Sequence, residues 1–234
     1  MYAIEIQGLH KTYGKGPAAV RALTDVDMTV RAGEVLMLMG PSGSGKTTLL
    51  SVIGCILSAT SGSVRIAGKE VAMLPESKLP PIRLRHFGFV FQSINLFPAL
   101  TARENVAIAL NLRGIRGRAA RNKAEELLTA VGLAHKLGSW PGDLSGGEKQ
   151  RTAIARALAG DPPILLADEP TAALDSETGR TVMELLTSLA RRDGRTVVVV
   201  THDDRVAEYA DRILHVTDGR ISRAQSHSRT VAKA

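Results

Sequence analysis

The chain is 234 residues long, above the average domain yet within the range of one α/β unit carrying a sub-domain, and it can bury a substantial core. No apolar stretch approaches the ~18–20 residues needed to cross a bilayer, and the start at Met1-Tyr2-Ala3-Ile4-Glu5 lacks the pattern of a secretory leader, so the chain is expected to stay in the cytosol. The formal charge of +7 raises nucleic acid as a partner, but the basic residues are scattered and aromatics make up only 3% of the chain, so no nucleic acid is expected.

From the N-terminus, Ile4 and Ile6, then Val26, Met28 and Val30, then Val64 and Ile66 alternate with other residues as half-buried strands do, which predicts an antiparallel sheet. Val35–Met39, Phe87–Phe91, Ile164–Ala167 and Val197–Val200 are continuous apolar runs instead, the pattern of parallel strands covered on both faces. Each runs into polar chemistry, at Gly40, at Gln92, at Asp168-Glu169 and at Thr201-His202. Ligands of open α/β sheets sit outside the carboxyl ends of strands, so these residues are expected to converge on one nucleotide. From about 93 to 160 the pattern turns helical, with Ala124, Leu127, Leu128 and Val131 at i, i+3, i+4 and i+7. The expected fold is therefore α/β, a mainly parallel sheet flanked by an antiparallel β sub-domain and carrying an inserted α-helical sub-domain. Residues 1–221 read as one domain without internal repeats, and 222–234, short and unpatterned, as a disordered tail. Cys55, the single cysteine, excludes an internal disulfide and is expected in the core of the helix after Gly40–Thr47. The basic groups at 113–121 and 220–233 read as solvated surface, with an anionic membrane leaflet as the alternative.

Gly40-Pro41-Ser42-Gly43-Ser44-Gly45-Lys46-Thr47 matches the phosphate-binding loop G-x-x-x-x-G-K-[ST] and is followed by Thr48 at a helix start. Gly43 and Gly45 permit a tight turn whose N–H groups point inward, Lys46 reaches β- and γ-phosphates, and the Thr47 hydroxyl can ligate Mg²⁺. The preceding apolar run supplies the strand that such a loop requires. Asp168 and Glu169, adjacent at a strand end, point in different directions, which gives them separate roles. Asp168 is expected to hold Mg²⁺ together with Thr47. A solvated Asp-Glu turn before Pro170 is the plain alternative.

Leu144-Ser145-Gly146-Gly147-Glu148-Lys149-Gln150-Arg151 carries Ser145-x-x-Glu148, an ordinary capping box ahead of an Ala- and Leu-rich run. It is also a second phosphate-grasping surface, because Gly146 and Gly147 lack a Cβ and let backbone N–H groups approach an anion at the positive end of that helix. The two readings are compatible.

In this order the motifs resemble ABC-type ATPase subunits, and the resemblance runs from about Tyr13 to His202. It implies ATP and Mg²⁺ as cofactors, with ATP bound along Gly40–Thr48. Gln92, otherwise a solvated loop residue, resembles the Q-loop glutamine that contacts Mg²⁺ or the attacking water and senses the membrane partner. Glu169 resembles the residue that orients or deprotonates the water, and His202, otherwise a capped strand end, the histidine that touches the γ-phosphate. Tyr13 matches the aromatic that stacks on adenine, or is simply packed, and Pro170 to Asp175 resembles the D-loop. The family also implies a head-to-tail pair of cassettes, with Ser145, Gly146 and Gly147 of one closing over the ATP of the other, and transmembrane permease partners at the cytoplasmic face of the membrane.

Gly88 to Val106 looks like the subgroup that serves lipoprotein-release, macrolide-export and glycolipid-export permeases, which act on lipids or periplasmic cargo. Ala59 departs from the proline that relatives often carry there, a difference confined to a loop. The long coiled coils or zinc insertions of DNA-repair and chromosome-organising relatives are missing, as is the second cassette of translation-type proteins. A non-transport complex that regulates cell division or the cell envelope is compatible with every residue.

Overall fold

The computed structural model describes residues 1–226. In chain order the elements are β1 (Tyr2–Tyr13), β2 (Val20–Arg31), β3 (Val35–Met39), α1 (Lys46–Ile53), β4 (Ser61–Ile66), β5 (Lys69–Glu70), α2 (Leu79–His86), β6 (Phe87–Val90), α3 (Ala102–Asn111) and α4 (Gly117–Ala130). They continue with α5 (Gly146–Leu158), β7 (Ile164–Asp168), α6 (Ser176–Asp193), β8 (Thr196–Thr201), β9 (Arg212–Thr217) and β10 (Arg220–Ser226). One sheet is antiparallel in the order β2-β1-β4-β5, and the other has six strands in the order β10-β9-β3-β8-β7-β6. In the second sheet all pairings are parallel except β9 with β10.

The continuous apolar runs follow from this layering. Along β3, Leu36 and Leu38 face one core with Leu49 and Ile53 of α1 and the antiparallel sheet, while Val35, Met37 and Met39 face a second core with α5 and α6. The same alternation holds in β8, where Val198 and Val200 join the first core and Val197 and Val199 the second. A strand between two dry layers has no polar face to alternate with. Each of these side chains is worth ~1.5–3 kcal/mol on full burial.

The helices between β6 and β7 pack on one another, with α3 against both α4 and α5. α3 begins on a capping box in which Thr101 and Glu104 exchange bonds with each other's backbone. The loop before it is fastened by Asn105, fully buried, whose Oδ1 accepts from the Phe97 N–H at 2.8 Å and whose Nδ2 donates to the carbonyls of Phe97, Leu100 and Thr101 at 2.9–3.1 Å. No described helix is long and apolar enough to cross a membrane.

Several boundaries differ from expectation. β10 continues through Ser226, past residue 222 where a disordered tail was expected to begin, because it pairs with β9 as an edge strand; residues 227–234 lie outside the described residues. β6 ends at Val90, one residue early, and α2 was not anticipated, since Pro80 and Pro81 occupy its first turn, where no N–H is needed. Cys55 is buried as expected but lies just beyond α1, with a left-handed φ of 57°, and burial pushes its thiol up to about 11.

Replacing Asn105 with Ala removes four side-chain bonds and strands the Phe97 N–H and the Leu100 carbonyl, whereas the carbonyls of Phe97 and Thr101 keep the N–H groups of Leu100 and residue 105. We expect a loss of about 2 kcal/mol, seen as a fall of ~4–8 °C in Tm by calorimetry.

Candidate functional site

β3 delivers the Gly40–Thr48 loop to the carboxyl edge of the parallel sheet. The loop needs its glycines: Gly40, Gly43 and Gly45 have φ of 149°, 78° and 100°, and a Cβ on Gly45 would lie 2.7 Å from the Ala22 carbonyl oxygen. Gly45 is the N-cap of α1 and offers no side chain, so the first N–H groups of the helix are left for an incoming anion. The Lys46 ammonium is buried and donates to the carbonyls of Gly40 and Pro41 at 2.7 Å each, folding back along the loop. Ser44 Oγ is buried and has no partner. A cradle of positive φ lined by an ammonium and an orphaned hydroxyl fits a polyphosphate.

The registers of β3, β8 and β7 bring the polar ends together, with Met39 beside Thr201 and Asp168 beside Val200. The Thr47 hydroxyl donates to Asp168 Oδ1 at 3.1 Å. Burial raises the Asp168 pKa, the Thr47 bond lowers it, the neighbouring Glu169 raises it further and Lys46 draws it back. Glu169 takes a left-handed φ of 47°, and its carboxylate reaches the end of β8. There Oε1 lies 2.6 Å from His202 Nδ1 and Oε2 accepts from the Thr201 hydroxyl at 3.2 Å. Backbone strain of this kind on a non-glycine residue costs ~1–3 kcal/mol and gathers at functional sites. One carboxylate thus faces the phosphate loop and the other a histidine.

Tyr13 ends β1 with its ring part-exposed, its hydroxyl 3.3 Å from Thr48 Oγ1 and the Lys11 ammonium 5.2 Å from the ring centre. Gln92 is exposed in the turn after β6, the strand paired with β7. Ser145 caps α5, its Oγ accepting from the Glu148 N–H while the Glu148 carboxylate accepts from the Ser145 N–H at 2.8 Å. Ser145 and Gly146 are exposed, and their segment neighbours Leu174 and Thr178 rather than the Gly40–Thr48 loop. Gly147 is buried. Asp175 caps α6, accepting from the N–H groups of Glu177 and Thr178 and from the Thr178 hydroxyl; the bonds to Thr178 chiefly hold its pKa below the usual aspartate value.

Two features have no counterpart in the sequence reading. Arg205 donates to Ser176 Oγ at 2.7 Å and to both oxygens of Asp203 at 2.8 Å, tying the segment after β8 to the start of α6. Arg156 of α5 donates to the carbonyls of Ile94 and Asn95, two successive residues with φ of 61° and 51°. Both arginines read as solvated surface in a bare sequence, and only their backbone or turn partners reveal them.

The strand-loop-helix with its buried lysine and the acidic end of β7 define a P-loop nucleoside triphosphatase. Residues 23–172 match the model of the ABC transporter family, and the chain belongs to that family; it is an ATP-binding cassette and an ATPase. It is 48% identical over 92% of its length to the macrolide export ATP-binding/permease protein MacB of Rhodopseudomonas palustris, and spans 33% of that protein. It is 46% identical to the ABC transporter ATP-binding protein MJ0796 of Methanocaldococcus jannaschii, over 95% of this chain and 96% of the relative. Its fold superposes on a dimeric post-hydrolysis structure of MJ0796 bound to ADP and Pi with a TM-score of 0.88 at 44% identity, covering 95% of this chain and 98% of the other.

Because the fold raises the Asp168 pKa, it favours the protonated acid, so that contribution to stability is complete below the unfolded value and is lost as pH rises through the folded one. Asp168→Asn should therefore raise Tm at neutral pH, by ~2–4 °C for about 1 kcal/mol, in protein without nucleotide. Calorimetry across pH should show the gap between variant and parent closing on acidification.

Proposed function

We propose that the chain is the ATP-hydrolysing cassette of a membrane transporter, in which two cassettes close head to tail over ATP and drive a transmembrane permease from the cytoplasmic face of the membrane. The observation that carries this reading is the division of phosphate-binding parts within one chain. The Gly40–Thr48 loop gathers with Asp168, Glu169 and His202, whereas Ser145 and Gly146 stand exposed at another helix start, beside Leu174 and Thr178. A second copy completes the site. ATP then adds contacts only to the closed pair, so its binding shifts the population toward closure and its hydrolysis releases it.

Each residue has work consistent with its surroundings. Lys46, the loop N–H groups and Ser44 Oγ hold the β- and γ-phosphates, and the half-exposed ring of Tyr13 offers a face for adenine. Thr47 and Asp168, already hydrogen-bonded to each other, would hold Mg²⁺ with Gln92. Bound there, Mg²⁺ would supply positive charge to the phosphate oxygens. Glu169, held by Thr201 and His202, takes the proton of the attacking water, and His202 would touch the γ-phosphate as its counterpart in the family does.

A groove of about 920 Å³ between α2, β6, α3 and α5 supports a permease partner. Phe89, Phe91, Phe97 and Leu112 line it, with Phe97 50% and Leu112 71% exposed, an apolar surface that a protein helix would cover. It adjoins the Phe91-Gln92 turn, so an occupant there would act directly on a residue of the ATP site. The likeness to MacB, a macrolide export protein, favours export as the work performed, and the Gly88 to Val106 segment, which looks like the subgroup acting on lipids, lipoproteins or periplasmic cargo, favours a cargo of that kind.

Glu169→Gln should bind ATP but hydrolyse it ~10²- to 10⁴-fold more slowly, and should accumulate a dimer in size-exclusion chromatography with ATP. A variant that turns over at the parent rate removes Glu169 from the mechanism. Lys46→Ala should lose most ATP affinity in titration calorimetry, and unchanged affinity would count against the loop as the phosphate site.

A further inference from the structure

Gly147 sits in α5 with ordinary helical backbone, so its identity is not explained by a positive φ. Glycine in a helix costs ~1 kcal/mol relative to alanine, and some other requirement must outweigh that cost. The requirement is local and steric. A Cβ on Gly147 would lie 2.3 Å from Thr178 Cγ2, in the first turn of α6. Thr178 cannot swing away freely, because its hydroxyl donates to Asp175 Oδ2 at 2.7 Å and its N–H to Asp175 Oδ1 at 3.0 Å, and a β-branched side chain has few rotamers in a helix.

That turn is anchored on its other side as well. Ser176 Oγ accepts from Arg205, Arg205 is held by Asp203, the Asp203 N–H donates to Thr201 Oγ1 at 3.1 Å, and the Thr201 hydroxyl donates to Glu169 at 3.2 Å. Hydrogen bonds therefore run from the turn carrying Thr178 to the carboxylate of Glu169.

We propose that Thr178 is a positioning residue for the Ser145–Gly147 tip: its methyl group seats the tip, and Gly147 is glycine to accept that methyl group. The inference rests on the reading of Ser145–Gly147 as part of an ATP site. It assigns the need for a bare Cα at 147 to a contact within one chain, distinct from any approach of nucleotide. Because the seat is tied to Glu169, a displaced tip lowers turnover as well as disturbing packing.

The space available makes a sharp test. Thr178→Ser removes Cγ2 and keeps the hydroxyl that bonds Asp175, and the next atoms facing an added Cβ, Thr178 Cβ and Oγ1, stand at 3.7 and 3.9 Å, ordinary contact distances. Steady-state ATP hydrolysis and Tm are measured for the parent, Gly147→Ala, Thr178→Ser and the double variant. Gly147→Ala should lower kcat ~10-fold in the parent background and less than ~3-fold in the Thr178→Ser background, a rescue that identifies the methyl clash as the cause. An equal loss in both backgrounds overturns the proposal and leaves the bare Cα to the nucleotide. A change in Tm with kcat untouched overturns it too, as packing without positioning. Hydrolysis that persists in Lys46→Ala would sink the functional reading itself, an outcome separate from the ratio between the two backgrounds.

Discussion

The parallel register of β3, β8 and β7 is the constraint on which the rest depends. Five successive pairs join β3 to β8, and five join β7 to β8. Because side chains alternate between two cores, a slip of one residue in any of these strands would exchange its faces and carry Leu36 and Leu38 into the space shaped for Met37 and Met39. The same slip would move Asp168 by ~3.3 Å along the sheet, out of reach of Thr47. Packing and chemistry are therefore specified by one set of pairings, and apolar burial holds the polar edge in place at no separate cost.

Around that edge, polar side chains do what apolar contacts cannot. Asn105 closes a loop by bonding its backbone, Arg156 binds two left-handed carbonyls before α3, and Asp175 and Ser145 each cap a helix that starts next to the other. Directional bonds of this sort set the angle of one element on another, where hydrophobic contact sets only distance. The helical insertion is thus fastened to the sheet near the turn that carries Gln92, and its far tip is seated against α6.

Much of the design was legible in the sequence because the strands are long and two-sided and the phosphate loop has a spacing with a mechanical cause. The runs at Val35–Met39 and Ile164–Ala167 predict buried strands, and the residues after them are the ones brought together. Alternation at Ile4, Val26 and Val64 likewise placed the antiparallel sheet. What escaped lacks local signal. α2 hides behind two prolines, β10 runs into the stretch that reads as a tail, and the telling partners of Arg156 and Arg205, the carbonyls of Ile94 and Asn95 and the hydroxyl of Ser176, lie far along the chain. The seating of Gly147 on Thr178 joins positions in two helices, and a motif read along the chain holds only one of them.

The burial of Cys55 has a practical side. It is 2% exposed, its thiol is pushed up to about 11, and it is the only cysteine in the sequence. Thiolate is the reactive form, so at neutral pH this sulfur resists maleimides and mild oxidants alike. Spin labels or fluorophores attached through a cysteine engineered at the protein surface can therefore report distances between two cassettes against a silent background, with the native thiol left in place.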